Sequence, residues 1–206
     1  DDISYEKGAT KKLTSFGLEV ESKVFPGDIS DEAFKREFAE INADASVDGI
    51  LMLRPLPKQI NEQDIEKMID PAKDLDGISP VNIAKVFSGD TSGFAPCTAE
   101  AVVCMLKMND IALSGKRVAV VGRSMVVGRP LSMLLLHENA TVTICHSRTA
   151  SLPEVCREAD ILTACVGKAA MINHTYVKKD AVVIDVGINV DENGKKEEKS
   201  FNDSQF

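Results

Sequence analysis

The residues of this sequence that are best suited to binding a ligand lie in a turn. In this turn Gly122 is followed by Ser124 and then by Gly128. Glycines at such positions let a backbone approach a phosphate group closely, and a helix that begins after the turn favours an anion through its N–H groups and its dipole. The spacing is one residue longer than in the usual G-x-G-x-x-G motif, and a serine replaces the second glycine. A turn that binds no ligand is the alternative interpretation of this motif alone.

The segments around this turn predict a strand, a helix and a second strand. Residues 118–121 form an apolar run that is short enough for a strand buried on both faces. A helix-length apolar segment follows Pro130, and residues 141–145 have strand character again. Because dinucleotides bind at the turn after the first strand of such units, the arrangement favours a dinucleotide phosphate as the ligand.

The charges near this unit bear on which dinucleotide would bind. NAD-binding folds usually place an acidic residue at the end of the second strand, where it binds the ribose hydroxyls. Here His146, Ser147 and Arg148 follow that strand, and Arg123 lies in the turn. No carboxylate is present to repel an additional phosphate, so the sequence favours NADP. NAD stays open, because an arginine at either position could simply face solvent.

The remaining pattern predicts two α/β domains. In the second half, strand-like runs at 160–167 and 181–189 alternate with helical segments, which predicts four parallel strands in total. The first half also alternates, with strands expected at 18–20 and 47–53. Small polar residues at 88–96 predict a linker or mobile loop. The predicted domains are 1–95 and 96–190, and the charged segment 191–206 is predicted to be a disordered tail.

Composition excludes several classes of protein. The 206 residues carry a formal net charge of -8, which argues against a nucleic-acid-binding surface. No apolar run approaches the roughly 18 residues that span a bilayer, so we expect no membrane partner. The five cysteines form no C-x-x-C pair and the three histidines have no metal-binding spacing. Reduced thiols, no metal and a cytoplasmic location are therefore expected.

Six motifs that follow one another along the chain resemble those of the methylenetetrahydrofolate dehydrogenase/cyclohydrolase family. They are Pro55-Leu56-Pro57, Lys73-Asp74-Leu75-Asp76-Gly77, Pro96-Cys97-Thr98, Val121-Gly122-Arg123-Ser124 with Val127-Gly128, Cys145-His146-Ser147-Arg148-Thr149, and Val183-Ile184-Asp185-Val186-Gly187-Ile188-Asn189. The resemblance implies a homodimeric α/β enzyme of one-carbon metabolism. It also implies a Rossmann-type parallel-sheet NAD(P) domain and a smaller α/β folate-binding domain, with a cleft between them.

The resemblance further implies hydride transfer from methylene-tetrahydrofolate to NADP or NAD, which gives methenyl-tetrahydrofolate. The residues implied to bind the dinucleotide are Gly122, Arg123, Ser124, Ser147 and Ile188. The residues implied to bind the folate are Tyr5, Leu53, Pro55 and Asp76. Of these, Tyr5 and Asp76 are the expected catalytic residues, because Tyr5 would lie over the folate and Asp76 would accept the N–H groups of its pterin ring.

Two positions depart from the pattern of the bifunctional members. Those members have a lysine four residues after the tyrosine and a glutamine two residues before the first proline, and both support hydrolysis of the methenyl bridge. This sequence has Ala9 and Leu53 there. Neither side chain can transfer a proton or donate a hydrogen bond, so we predict a dehydrogenase with weak or absent cyclohydrolase activity. The flanking Lys7 and Lys11 would point roughly 200° away on a helix.

Several alternatives stay open. A shifted helix could let Lys7 or Lys11 serve, in which case the protein would be bifunctional. The chain could also be a catalytically inactive module that binds folate or a nucleotide. A dehydrogenase for a different small substrate would fit the second half, but would leave Asp76 and the proline pair unexplained. Because family members have further segments before Asp1 and after Asn189, the sequence could be a fragment.

Overall fold

The structure, a computed structural model, describes residues 2–187, 189–190 and 196–197, with side-chain surroundings for residues 5–187. The chain divides into two compact units, Asp1–Pro80 and Val81–Phe206. The sequence-based boundary between residues 95 and 96 stays a prediction. No helix in the described part of the chain is both long enough and apolar enough to cross a membrane.

The first unit contains three helices in its described part: α1 (Asp2–Ser15), α2 (Asp31–Ala43) and α3 (Glu62–Met68). Helix α2 begins at its N-cap Ser30, whose Oγ accepts a hydrogen bond from the Ala33 N–H at 3.2 Å. The helical spacing of Phe34 and Phe38 puts both rings on one face, where they pack with Ile65 of α3 in the core of this unit.

The predicted strands at 18–20 and 47–53 are wrong, because the structure forms no ladder at either segment. Only Ile50 makes a β-bridge, in which its N–H donates to the Lys73 carbonyl at 2.6 Å and its carbonyl accepts from the Leu75 N–H at 3.3 Å. Apolar composition alone does not make a strand, which needs a partner for its backbone groups. The bridge nevertheless fastens the segment before the proline pair to the segment that carries Asp76.

The second unit is built on a four-stranded parallel sheet with strand order β2-β1-β3-β4. The strands are β1 (Arg117–Val121), β2 (Thr141–Cys145), β3 (Ile161–Ala164) and β4 (Val182–Asp185). The helices are α4 (Pro80–Ser88), α5 (Cys97–Met108), α6 (Gly128–His137), α7 (Leu152–Arg157) and a 3-10 turn, His174–Tyr176. Two short strands, β5 (Asn189–Val190) and β6 (Lys196–Glu197), pair antiparallel.

Strand β1 separates the two hydrophobic cores of this unit. Val118 and Val120 pack toward α5 and α6, whereas Ala119 and Val121 pack toward α7. Successive residues of a strand face opposite sides of a sheet, so an unbroken apolar run is what a doubly covered strand requires. The predicted Rossmann-type parallel sheet is therefore confirmed.

Two features of this unit are not evident from the sequence. Helix α4 is not among the predicted elements, and the segment 88–96, predicted to be a linker or mobile loop, is tied back to that helix. The Asp90 N–H donates to the Lys85 carbonyl at 3.0 Å, and the Phe94 N–H donates to the Asn82 Oδ1 at 3.3 Å. The buried Asn82 thus holds the loop in place. The small polar residues of the loop give no sign of this contact in the sequence. Of the predicted tail, only Lys196–Glu197 lies within the described residues.

Candidate active site

The turn after β1 is closed by contact between its two glycines. Gly122 has a φ of 134°, and a Cβ there would lie 2.6 Å from the Cys165 carbonyl oxygen. A Cβ on Gly128 would lie 2.2 Å from the Gly122 carbonyl oxygen. Glycine is therefore required at both positions, for the backbone angle at one and for space at both. Burial raises the pKa of the neighbouring Cys165 thiol to about 11, so it brings no negative charge to this turn at neutral pH.

Ser124 connects this turn to the start of α6. Its Oγ accepts hydrogen bonds from the N–H groups of Val127 at 3.1 Å and Gly128 at 3.4 Å, and its carbonyl accepts from the Arg129 N–H at 3.0 Å. A hydroxyl has two acceptor sites and one proton, so the Ser124 proton remains for donation to another group. Since the residue is exposed, a phosphate or ribose oxygen could accept it.

The parallel register brings the turn after β2 beside the turn after β1. Val121 pairs with Cys145, and the Gly122 N–H donates to the Cys145 carbonyl at 2.8 Å. The β2 turn is held by two hydrogen bonds between His146 and Thr149, each of 2.8 Å. Two of the predicted dinucleotide-binding positions, 122 and 147, thus follow neighbouring strand ends.

The side chains at this sheet edge are exposed, and two of them are positively charged arginines. Arg123 extends from the first turn, and Ser147 and Arg148 from the second. Within the described part of the chain, neither arginine forms an ion pair with an acidic side chain. Both guanidinium groups can therefore pair with an anionic ligand. The edge is therefore suited to an anion with several phosphate oxygens. The predicted contact of Ile188 lies outside the described residues.

Arg123 also lines a largely apolar pocket of about 450 Å³. The other lining groups include Met125 and Ile144 beside the two turns, and Arg129 and Met133 of α6. An uncharged ring can pack against the apolar side chains of such a pocket, while the guanidinium groups that line the pocket attract a phosphate. This combination fits the adenosine end of a dinucleotide. Among the described residues, no three histidine, cysteine or acidic side chains are grouped as metal ligands.

In the first unit, Asp76 is paired with Arg54, which is not among the predicted site residues. Its Oδ2 lies 3.2 Å from Nη2 of Arg54, whose Nη1 lies 3.6 Å from Oε1 of both Glu62 and Glu66 on α3. Burial raises the pKa of Asp76 above its usual range, and the charge of Arg54 and its hydrogen bond act in the opposite direction. Burial likewise raises the pKa of Glu66, again against the charge of Arg54.

The neighbouring Asp74 has a structural role that separates it from Asp76. It is fully buried, and its carboxylate accepts hydrogen bonds from the N–H groups of Ile78 at 3.0 Å and Ser79 at 2.8 Å. Lys73 donates from Nζ to the carbonyls of two residues at the end of α2, 2.7 and 2.8 Å away. The lysine and the first carboxylate of the motif therefore fix its backbone, and Asp76 is the acid that remains for a ligand.

The other predicted folate-binding residues lie on segments with different surroundings. Tyr5 is 57% exposed on α1, Leu53 is half-buried, and Pro55 is exposed after a cis peptide bond. Arg54 is the residue that sequence reasoning missed. The available signal was a charged residue inside an apolar run, followed by acids at positions 62 and 66, one helical turn apart.

The parallel sheet, with a closed glycine turn and exposed cations at one edge, defines a dinucleotide-binding α/β protein. Residues 96–206 match the family model described as tetrahydrofolate dehydrogenase/cyclohydrolase, NAD(P)-binding domain, and residues 1–76 match the model of the catalytic domain of the same family. The chain belongs to the tetrahydrofolate dehydrogenase/cyclohydrolase family.

Similar proteins share most of this chain. It is 53% identical to the bifunctional protein FolD of Clostridium kluyveri over 194 residues, which are 94% of this chain and 68% of that protein. The crystal structure of the bifunctional enzyme FolD of Campylobacter jejuni matches with a TM-score of 0.92 at 35% identity, over 95% of this chain and 69% of that one. A Trypanosoma brucei relative, complexed with NADP cofactor and inhibitor, matches with a TM-score of 0.88 at 31% identity, with the same coverage of both chains.

These findings confirm the predicted family, the fold class, the NAD(P) cofactor class and the dehydrogenase class of enzyme. The roles of the individual residues stay predictions: Tyr5, Leu53, Pro55 and Asp76 toward folate, and Gly122, Arg123, Ser124, Ser147 and Ile188 toward the dinucleotide. The loss of cyclohydrolase activity is also a prediction.

Proposed function

We propose that this chain is a methylenetetrahydrofolate dehydrogenase that uses NADP and has little or no cyclohydrolase activity. The observation that carries the proposal is Ala9 in the middle of the regular helix α1. Ala9 is half-buried there, whereas Lys7 and Lys11 are exposed, as expected for residues two positions away on a helix. Neither flanking lysine therefore replaces the missing amine without a change in the helix.

The second unit has the groups that an NADP molecule needs. The turn between Gly122 and Gly128 lets phosphate oxygens approach the backbone, Ser124 has a proton to donate, and Arg123 and Arg148 offer charge to an additional phosphate. Bound NADP supplies the acceptor for a hydride. The protein contributes binding and alignment.

Oxidation of the one-carbon bridge makes few chemical demands on protein side chains. A C–H bond of the bridge breaks, its electron pair leaves with the hydrogen as a hydride, and the bridge becomes a cation shared with the adjoining nitrogens. No proton has to be removed by the protein in this step. Asp76, as a carboxylate, would hold the pterin ring by accepting its N–H groups. The dehydrogenase reaction is therefore compatible with Ala9 and Leu53.

Hydrolysis of the methenyl bridge makes a different demand. Water must lose a proton as it attacks the bridge, and a positioned acid–base group contributes about 10²–10⁴-fold to such a step. The side chains of Ala9 and Leu53 can supply neither a proton acceptor nor a hydrogen bond to orient one. We therefore expect hydrolysis to be slower than in a bifunctional relative by at least about 100-fold.

The test is to measure both activities in this protein and in the double variant Ala9→Lys/Leu53→Gln. We expect dehydrogenase activity in both proteins. We expect the cyclohydrolase activity of the variant to be at least about 100-fold higher than that of the starting protein. Lys7→Ala and Lys11→Ala, made separately, test whether a flanking lysine serves instead. Rapid hydrolysis by the starting protein that either single variant abolishes would establish the bifunctional alternative. Binding of NADPH and folate without any turnover would favour a binding module.

The compartment and assembly state belong to the same proposal. A cytoplasmic location is supported by the five cysteines, none of which forms a disulfide in the structure. A homodimer is proposed from the resemblance to the family. Sedimentation of the purified chain over a range of concentrations would test it, with a constant monomer mass as the contradicting result.

A further inference from the structure

Arg54 stands in a position where a charged side chain is unexpected. It interrupts the apolar run that ends at the proline pair, and its side chain is only 18% exposed. A guanidinium group withdrawn from water needs partners for its donors. Three carboxylates surround it, those of Asp76, Glu62 and Glu66.

The two ends of the guanidinium group face different elements. Nη1 faces Glu62 and Glu66, which lie on one side of α3, while Nη2 faces Oδ2 of Asp76. The flat, rigid fork of arginine can span two such elements, so the orientation of the Asp76 carboxylate depends on helix α3 through Arg54. The Oδ1 atom of Asp76 accepts no hydrogen bond from the residues that the structure describes, and is therefore available to a ligand.

We infer that Arg54 is a positioning residue of the folate site, which holds the Asp76 carboxylate so that Oδ1 can accept the N–H groups of the pterin ring. Glu62 and Glu66 hold Arg54 in turn. This inference rests on the proposed dehydrogenase function, and adds a residue to the folate site that the motifs of the family did not select.

The charges around Asp76 support this role. Burial raises the pKa of Asp76 and the charge of the nearby Asp74 raises it further, whereas Arg54 lowers it. A protonated carboxyl would offer a donor where the pterin ring offers donors as well, so substrate binding needs the ionised form. Arg54 thus orients the group and also keeps it ionised. Glu62 and Glu66 are the other acids near the guanidinium group, and they moderate its charge.

The test compares Arg54→Met and Arg54→Lys with the parent, through folate affinity, KM, kcat and their dependence on pH. For Arg54→Met we expect KM and Kd for the folate to rise at least about tenfold at neutral pH, with KM for NADP unchanged. The acid limb of folate binding should also move to higher pH. For Arg54→Lys the acid limb should stay near that of the parent, since the charge is kept, but KM should rise several-fold because an ammonium group cannot span both elements.

Two controls separate this role from a general loss of stability. Arg36→Met removes an exposed arginine of the same unit, and should leave folate binding unchanged. Asp76→Asn should make the further change Arg54→Met nearly neutral for folate binding, because the positioned group is already absent. If Arg54→Met does not fold, the KM of Arg54→Lys decides the question. An active parent with unchanged KM and pH profile in the folded variants would overturn the inference alone, whereas a parent that neither binds nor oxidises the folate would overturn the proposed function.

Discussion

Gly128 is in direct contact with Gly122, such that a Cβ atom on Gly128 would lie 2.2 Å from the Gly122 carbonyl oxygen and 2.9 Å from the Arg123 nitrogen. Both neighbours are backbone atoms, which cannot move aside as a flexible side chain does. The size of the residue at position 128 therefore fixes how closely α6 can approach the end of β1. That separation determines the shape of the turn to which we assign the dinucleotide phosphates.

Gly128→Ala should therefore weaken NADPH binding and lower stability together. Overpacking of a tight site costs about 1–3 kcal/mol, and we expect a loss of that size in the free energy of unfolding. The Kd for NADPH, measured by fluorescence titration, should rise at least about tenfold, because the backbone no longer forms the same turn. Gly27→Ala is the matched control, since a Cβ there meets nothing within 4 Å. Unchanged NADPH affinity in a folded Gly128→Ala protein would contradict the assignment of this turn.

Ser124→Ala tests whether the serine is more than a helix cap. Loss of the two hydrogen bonds from Val127 and Gly128 to its Oγ should lower stability by about 0.5–2 kcal/mol, as for other caps. Ser30→Ala removes a comparable cap from α2, and should lower stability similarly. We expect the Kd for NADPH to rise only in Ser124→Ala, because only that hydroxyl has a proton for the ligand. Equal NADPH affinity in both variants would leave Ser124 as a cap and nothing more.

The sequence predicted the second unit better than the first. The strands of the parallel sheet are apolar on both faces, and such runs are visible without knowledge of their neighbours. Residues 47–53 show a similar run, yet only Ile50 finds a backbone partner there, because pairing depends on a segment more than 20 residues away. The same distance hid the pair of Arg54 and Asp76, which no local pattern connects. Local periodicity indicates which face is buried, but it does not identify the partner.

Asp74→Asn should reduce stability, whereas Asp76→Asn should reduce function. The Asp74 carboxylate accepts two backbone N–H groups in the core, and an amide can present only one oxygen to them. A buried donor left without a partner costs about 1–3 kcal/mol, which urea unfolding would detect. The Asp76 side chain is 24% exposed, and its partner is the side chain of Arg54 and not a buried backbone N–H group, so its amide variant should keep most of its stability and lose folate affinity. A loss of stability in Asp76→Asn together with a loss of folate affinity in Asp74→Asn would contradict this assignment of the two acids.

Asp160 should make stability depend on pH in the acid range. Its hydrogen bond with Lys178, followed by that from the Arg117 N–H, lowers the pKa of Asp160. The folded-state pKa of Asp160 therefore lies below its unfolded-state value of about 3.9. The stabilisation of the folded state by the ionised Asp160 is complete above the unfolded-state pKa, and it is lost as the pH falls through the folded-state pKa. Asp160→Asn should therefore have a lower urea midpoint than the parent at neutral pH, and the difference should shrink in acid. Asp48→Asn, at an exposed site, is the control, and a pH-independent difference for Asp160→Asn would contradict this account.

Arg123 and Arg148 should determine the preference for NADP over NAD. Both extend from the edge where β1 and β2 end, and neither forms an ion pair within the described residues, so an additional phosphate would gain the attraction of both charges. For Arg123→Gln and for Arg148→Gln we expect kcat/KM with NADP to fall about tenfold, and kcat/KM with NAD to change by less than about threefold. Arg117→Gln, at the opposite end of β1 and paired with Glu158, should affect neither cofactor. Equal losses with NADP and NAD would mean that the arginines contact a part that both dinucleotides share, because only the additional phosphate distinguishes the two.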